Sequence, residues 1–318
     1  MSVTGGIVVV GAGVAGLTTA VVLAEAGHEV RLVAEELPGR TSLAAGAVWG
    51  PFLVGPQDRV ERWGRHSLGV LTALAAEPAT GVRLVTGTDA ARRPVTVPHW
   101  AAALPGFTLC DATRLPQGFV SGYRMTAPLV DMPVHLDYLQ RRFLHAGGSV
   151  ERRRVGALRE AGPGAAAVVN CAGLGARELA RDATLRPVRG QTVVVENPGI
   201  TEFFCEVDGD DTELLCVFPH GDTVVLGGVA VDGDESTEPD EKTAEGILAR
   251  CAAVVPALAR ARVLGHRAGI RPVREQVRLE AETADDGTLV VHNYGHGGAG
   301  VTLAWGCARE AAGLCAGR

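Results

Sequence analysis

Three groups of residues in this 318-residue chain could do chemistry: a glycine turn near the start, an arginine on an apolar strand face, and a second glycine loop near the end. Gly11, Gly13 and Gly16 stand at GxGxxG spacing, directly after the apolar run Gly6 to Val10 and directly before apolar residues at helical spacing from Val14 to Ala26. Glycines placed so let a backbone approach a pyrophosphate, while the free N–H groups and dipole of the following helix favour its negative charge. Gly27 ends that helix, and His28 to Val33 reads as a second strand. Glu35 lies just past it, about 20 residues beyond the last motif glycine, where a carboxylate can hold a ribose hydroxyl. Glu36 competes for the role, and the strand register favours Glu35, which leaves Glu36 as a solvated loop carboxylate. A lone glycine motif is often only a turn, but this strand, turn, helix and strand in sequence make it a dinucleotide site.

Ile270 to Leu279, IRPVREQVRL, alternates as a strand. That pattern predicts Arg271 on one face with Val273, Val277 and Leu279, and Arg274, Gln276 and Arg278 on the solvent face. An arginine on an apolar face is costly to desolvate unless an anion pairs with it. It is either half of an internal ion pair or a planar fork for a substrate carboxylate. The stretch VVHNYGHGGAGVTLAWGCA, residues 290–308, sets the second glycine loop before a helix predicted over Val301 to Leu314. Its N-terminal N–H groups suit an electron-rich ring edge that gains negative charge on reduction. His292 and His296 read either as acid/base groups or as anchors of the loop backbone. Flanking glycines and the lack of a carboxylate neighbour in sequence favour anchoring.

The elements that position these groups form an α/β pattern. Pro133 to Ala146 has helical spacing, Ala166 to Asn170 reads as a strand leading to Cys171-Ala172-Gly173, and Pro and Gly break residues 93–133 into short strands and loops. Thr192 to Glu196 and Thr223 to Val229 read as strands, with Glu202 to Glu213 as a polar, acidic connection. Arg152, Arg153 and Arg154 would alternate along a strand and form a solvated edge rather than an anion site. Asp232 to Glu241 reads as a loop feeding a capped helix start.

Composition bounds the function. Hydrophobic residues make up 47%, enough for a core, while 21% charged residues, a net charge of -6 and 4% aromatics give no basic field or stacking platform for nucleic acid. Lys242, the only lysine, lies beside an acidic run and is no Schiff-base nucleophile. Seven scattered cysteines without CxxC spacing read as buried thiols in a reducing cytoplasm rather than a disulfide framework. The nine histidines lack metal-ligand spacing, so no metal is expected. The start has no basic leader and no apolar stretch of membrane length, so a soluble, cytoplasmic protein acting on a small molecule is expected.

GIVVVGAGVAGLTTAVVLAEAGHEV, LAAGAVWGPF, VVNCAGLGARELA, RPVRGQ, GIRPVREQVRLE and VVHNYGHGGAGVTLAWGCA together resemble the FAD-dependent D-amino-acid oxidases, in the branch shared with D-aspartate oxidases and of bacterial type. The resemblance runs from end to end. It implies a Rossmann-like FAD-binding domain, residues 1–50, 131–185 and 265–318, interleaved with a mixed-sheet α+β substrate domain, residues 51–130 and 186–264. It further implies that Gly11, Gly13, Val14, Ala15 and Gly16 cradle the pyrophosphate, Glu35 the adenosine ribose, and Thr41 and Ser42 the phosphate or ribityl region. Ala45, Gly46 and Trp49 would meet the isoalloxazine, Val155 the adenine, and Gly297, Gly300, Val301 and Thr302 the flavin. Arg271 would grip the substrate carboxylate, and the Gly298 carbonyl would accept from the substrate amine.

The same resemblance implies FAD as cofactor, a D-amino acid and oxygen as partners, and an imino acid and hydrogen peroxide as products. The resemblance also implies direct hydride transfer to flavin N5, with no general base required. Two departures stand out: the tyrosine that the family places three residues before the proline of CVFPHGDTVVLGG is Cys216 here, in register with Pro219, and Gly50 replaces a larger polar residue. Both imply a wider, less polar pocket. The alternatives are an oxidase or dehydrogenase of a glycine-like or specialised amino acid, or a flavin binder with decayed catalysis. No nucleic acid or membrane partner is expected, and a homodimer is compatible with the sequence.

Overall fold

The computed structural model describes residues 5–209 and 212–317. Its strands, in chain order, are β1 Ile7–Val10, β2 Val30–Ala34, β3 Val82–Ala91, β4 Thr108–Leu109, β5 Ser121–Val130, β6 Ser149–Arg152, β7 Ala167–Asn170, β8 Arg186–Glu196, β9 Phe203–Glu206, β10 Glu213–His220, β11 Thr223–Val229, β12 Val231–Asp232, β13 Val263–Thr283 and β14 Leu289–His296. The four residues of β1 are apolar and buried on both faces, as a central parallel strand requires. β6, β2, β1, β7 and β14 lie side by side, all parallel. β13 then pairs antiparallel with β14, and β8, β11, β10 and β9 continue antiparallel. β3 joins β9 in parallel and carries β5 and β4, while β12 pairs with β8 off this path.

The splice between the two halves is β13. Its 21 residues pair with β8 over Val263–Val273 and with β14 from Val273 onward, with a register shift between Val273 and Arg278. Arg271, opposite Val188, therefore sits where the parallel half meets the antiparallel half. Helix Val14–Glu25 packs between the helices Met132–His145 and Gly300–Ala316, and helix Gln57–Leu74 packs on Gly300–Ala316 and β3. Asp240 caps the helix Glu241–Val254 by accepting from Thr243 N at 2.7 Å, as the loop before it suggested.

Three sequence expectations are corrected. Glu202 to Glu213 is not a plain connection: Phe203–Glu206 forms β9, whose four residues are too few for periodicity to reveal among acidic neighbours, and Asp210 and Asp211 lie outside the described residues. Arg274 and Arg278 do lie opposite the buried Val273, Val277 and Leu279, but they are partly buried and paired instead of freely solvated. Arg274 Nε donates to Asp182 Oδ2 at 2.9 Å, and Arg278 donates to Glu280, Glu282 and the Tyr294 hydroxyl. Lastly, Arg152 to Arg154 do not share a strand, since β6 ends at Arg152. Arg153 turns back to Glu151 at 2.7 Å, and Arg154 stands 3.9 Å from Glu35.

His135, on the buried face of its helix, lies 2.8 Å from the Thr80 carbonyl through Nδ1. Burial pulls its pKa down to about 4, against the opposing pull of that hydrogen bond. The unfolded chain thus takes up the proton first, near 6.5, and stability is lost as pH falls from there toward 4. His135→Asn, which keeps a donor for Thr80 but does not titrate, is expected to flatten the fall of Tm between these pH values. Melting curves across the window check this, and an unchanged slope contradicts it.

Candidate active site

A cleft of about 440 Å³ runs from the glycine turn after β1 to the splice strand β13. Two helix N-termini open onto it, those of Val14–Glu25 and Gly300–Ala316. Neither has a side-chain cap at its N-cap position or an acidic residue in its first turn. Their first N–H groups have no helical partner, so each end presents partial positive charge to the cleft. Val14 N is the one tied down, donating to Ser42 Oγ at 2.9 Å. Gly11 has φ +105°, and a Cβ there would lie 2.4 Å from the Cys171 carbonyl oxygen; one on Gly16 would lie 1.9 Å from the Gly11 oxygen. These two glycines bring strand, turn and helix together, which is why Gly16 is packed beneath the cradle rather than lining it. Gly13, Val14 and Ala15 form the open surface.

At this end Glu35 and Glu36 both line the cleft. Glu36 pairs with Arg40 at 3.0 Å, whereas Glu35 stands 3.9 Å from Arg154, its one ion-pair partner among the described residues. Val155 lies beside them, and Thr41, Ser42 and Ala45 follow along the wall. Thr41 Oγ1 donates to the Ile270 carbonyl at 3.0 Å, which ties that wall to β13.

The far end holds Arg271. Its NH1 donates to the carbonyls of Val229 at 2.9 Å and Arg189 at 3.3 Å. No carboxylate pairs with it among the described residues, and burial pulls its pKa down to about 10. The guanidinium fits because Gly190 lacks a side chain, whose Cβ would stand 2.7 Å from two of its nitrogens. Gly297 and Gly298 line the cleft beside it, held by Gly297 N donating to Pro272 O and Gly298 N to Phe52 O. His296 Nε2 contacts Asn293 Oδ1 at 3.1 Å, and burial brings its pKa to about 4. His292 lies 3.3 Å from Asn170 through Nδ1 and 3.1 Å from Glu282 through Nε2. His292 thus meets a carboxylate that its neighbours in sequence do not supply, while His296 lines the cleft with one ring nitrogen on Asn293.

The family model described as FAD dependent oxidoreductase, DAO, matches residues 6–314. This chain belongs to that family. It is 52% identical over 309 residues to a D-amino-acid oxidase of Rubrobacter xylanophilus, spanning 96% of this chain and 94% of that protein. It is 50% identical over 313 residues to a D-amino-acid oxidase of Streptomyces coelicolor, spanning 98% and 96%. A glycine oxidase crystal structure from Geobacillus kaustophilus superposes with a TM-score of 0.83 at 19% identity, over 98% of this chain and 94% of that one. That likeness is one of fold.

An FAD dependent oxidoreductase needs room for a pyrophosphate and a flavin, and the residues present fit it. Two uncapped helix N-termini face one cleft, the first behind a glycine cradle that a Cβ would fill and the second behind Gly297 and Gly298. Gly300 and Val301 of the second also line the cleft. The structure places the other expected contacts off the cleft wall. Trp49 donates through Nε1 to Gly64 O at 3.2 Å, and Thr302 Oγ1 donates to Gly50 O at 2.8 Å, both beside a side cavity of about 110 Å³. The carbonyl of Gly46 is 2.8 Å from His220 Nε2, and a Cβ there would strike Phe218. Cys216 stands in β10, two strands from the cleft residue Thr192 and in register with it across Gly227. Gly190, in the motif RPVRGQ, lines the cleft too, and its neighbours in sequence carry no sign of that. Only its place under Arg271 shows why a glycine stands there.

Proposed function

We propose that this enzyme oxidises a D-amino acid with oxygen, giving an imino acid and hydrogen peroxide, after which the imine hydrolyses to a 2-oxo acid and ammonia. The observation that carries this reading is Arg271: a largely enclosed guanidinium with no carboxylate partner among the described residues, open to the cleft beside Gly298. The names of the two relatives that are 50% and 52% identical agree with it. FAD, when bound, supplies the acceptor of the two electrons that leave the α carbon and hands them to oxygen. Arg271 binds the substrate carboxylate through its planar fork and fixes the α carbon in place. The Gly298 carbonyl accepts from the amine. His296, a weak base turned toward Asn293, takes no proton from substrate. Residues 1–50, 131–185 and 265–318 serve the cofactor and 51–130 and 186–264 the substrate, with helix Gln57–Leu74 packed against the cofactor side. Free, scattered cysteines suit a cytoplasmic enzyme. A peroxide-coupled screen of D-amino acids, L-amino acids and glycine tests the reading. Turnover confined to D-amino acids is expected, and preference for glycine or an L-amino acid overturns it.

Cys216 bears on which D-amino acid fits. Gly227 stands between Cys216 and the cleft residue Thr192, and a Cβ there would touch both, at 3.8 and 3.9 Å, so the glycine leaves a gap of about one methyl group between them. A tyrosine ring at 216 fills that space. Cys216→Tyr is expected to raise kcat/KM for D-alanine and lower it for a large apolar D-amino acid, each by roughly tenfold. D-aspartate should stay poor in both. Equal changes on all three substrates contradict the role of this space.

A further inference from the structure

Cys216 has a second feature that substrate binding does not use. Cys205 in β9 stands directly opposite it in the antiparallel pair, so the two side chains leave the same face of the sheet. Directly opposed residues of an antiparallel pair have Cα atoms about 4.5 or 5.5 Å apart, and both spacings lie inside the span of a disulfide. Strand pairing therefore already supplies the backbone geometry of a bond.

From this juxtaposition we infer that Cys205 and Cys216 form a peroxide-oxidisable pair that closes to a cross-strand disulfide beside the substrate site. Cys216 is the half-buried member, within electrostatic range of Arg271, and Cys205 is buried behind it. Peroxide thus meets Cys216 first. The Cys216 sulfur attacks one peroxide oxygen, the O–O bond breaks, and water leaves behind a sulfenic acid. The Cys205 sulfur then attacks the Cys216 sulfur, an S–S bond forms and the S–O bond breaks. The Cys205 proton departs with the hydroxyl as a second water. Each sulfur loses one electron, and one peroxide is reduced to two waters. The neighbouring Cys216 and burial hold the Cys205 thiol well above the usual thiol pKa, so its proton has to leave as the S–S bond forms and closure is the slower of the two steps.

The other thiols are placed differently. Cys251 reaches the Cys216 and Gly227 carbonyls, at 3.6 and 3.9 Å, as a donor from the helix on the opposite side of the sheet. Cys171, Cys307 and Cys315 are buried near the helix Gly300–Ala316, and Cys110 is half-buried after β4. That the peroxide is the enzyme's own product rests on the oxidase reading above. The reactivity of the pair does not.

The test exposes the FAD-loaded full-length protein to graded hydrogen peroxide without substrate, blocks free thiols, and maps the digest by mass spectrometry with and without dithiothreitol. A Cys205–Cys216 cross-linked peptide that reductant removes is expected. It should persist in Cys110→Ser and vanish in Cys205→Ser, in which Cys216 should pass on to sulfinic acid. Both thiols remaining alkylatable, or Cys216 over-oxidising in the unsubstituted protein without a cross-link, overturns the inference. A parallel arm supplies a D-amino acid and air, with and without catalase. A cross-link with added peroxide but none during turnover supports the pair and counts against the oxidase reading alone.

Discussion

Arg271→Ala is expected to lower kcat/KM for a D-amino acid about a thousandfold while FAD stays bound, because breaking a buried charge pair costs about 3–5 kcal/mol. In the variant the substrate carboxylate enters the same enclosed end of the cleft and meets only backbone carbonyls, those of Val229 and Arg189 among them. Arg271→Lys should recover little, since one ammonium cannot reproduce a planar fork already turned into place by two carbonyls. Flavin absorbance per protein should match the unsubstituted enzyme in both variants, because the pyrophosphate end of the cleft is untouched. Near-normal turnover in the alanine variant, or loss of flavin, would show that Arg271 serves the fold instead.

A second large loss is expected at the other end of the cleft. Gly16→Val places a Cβ 1.9 Å from the Gly11 carbonyl oxygen, and neither that oxygen nor the helix can yield without parting strand from turn. Stability should fall by about 3 kcal/mol or more, as overpacking against rigid backbone does, and the purified protein should carry no FAD. Gly13→Ala separates the two causes. Its Cβ would meet only Ser42 Oγ, at 3.1 Å, so the fold should survive while the methyl fills the cradle. Flavin content and Tm of both variants decide the matter; full FAD occupancy in Gly16→Val contradicts the placement of the pyrophosphate on this turn.

The legible parts of the molecule were the local ones. A buried four-residue strand, a glycine turn and a helix lie within the first 25 residues, and the forces that join them act between near neighbours, so spacing alone exposed them. Glu35 followed from the end of β2, and the second glycine loop from the start of the helix Gly300–Ala316. Arg271 was legible as a misplaced charge, but the reason it can be tolerated was not. Gly190 makes room from another strand 81 positions earlier, and the carbonyls that hold the guanidinium belong to β8 and β11. The alternation that buries Val273, Val277 and Leu279 was legible, but the partners that draw Arg274 and Arg278 out of solvent were not, because Asp182 and Tyr294 come from elsewhere in the assembled fold. Trp49 and Thr302 lie off the main cleft for a similar reason: their polar atoms are taken by Gly64 and Gly50.

Anaerobic mixing of the FAD-loaded protein with a D-amino acid tests D-amino-acid oxidation most directly, because it reads the transfer of electrons before oxygen, peroxide or imine hydrolysis enters. The flavin absorption is predicted to bleach with the D enantiomer, to stay unchanged with the L enantiomer, and to return with release of peroxide when air is admitted. A flavin that remains oxidised with every D-amino acid offered, while the protein holds FAD fully, would contradict it.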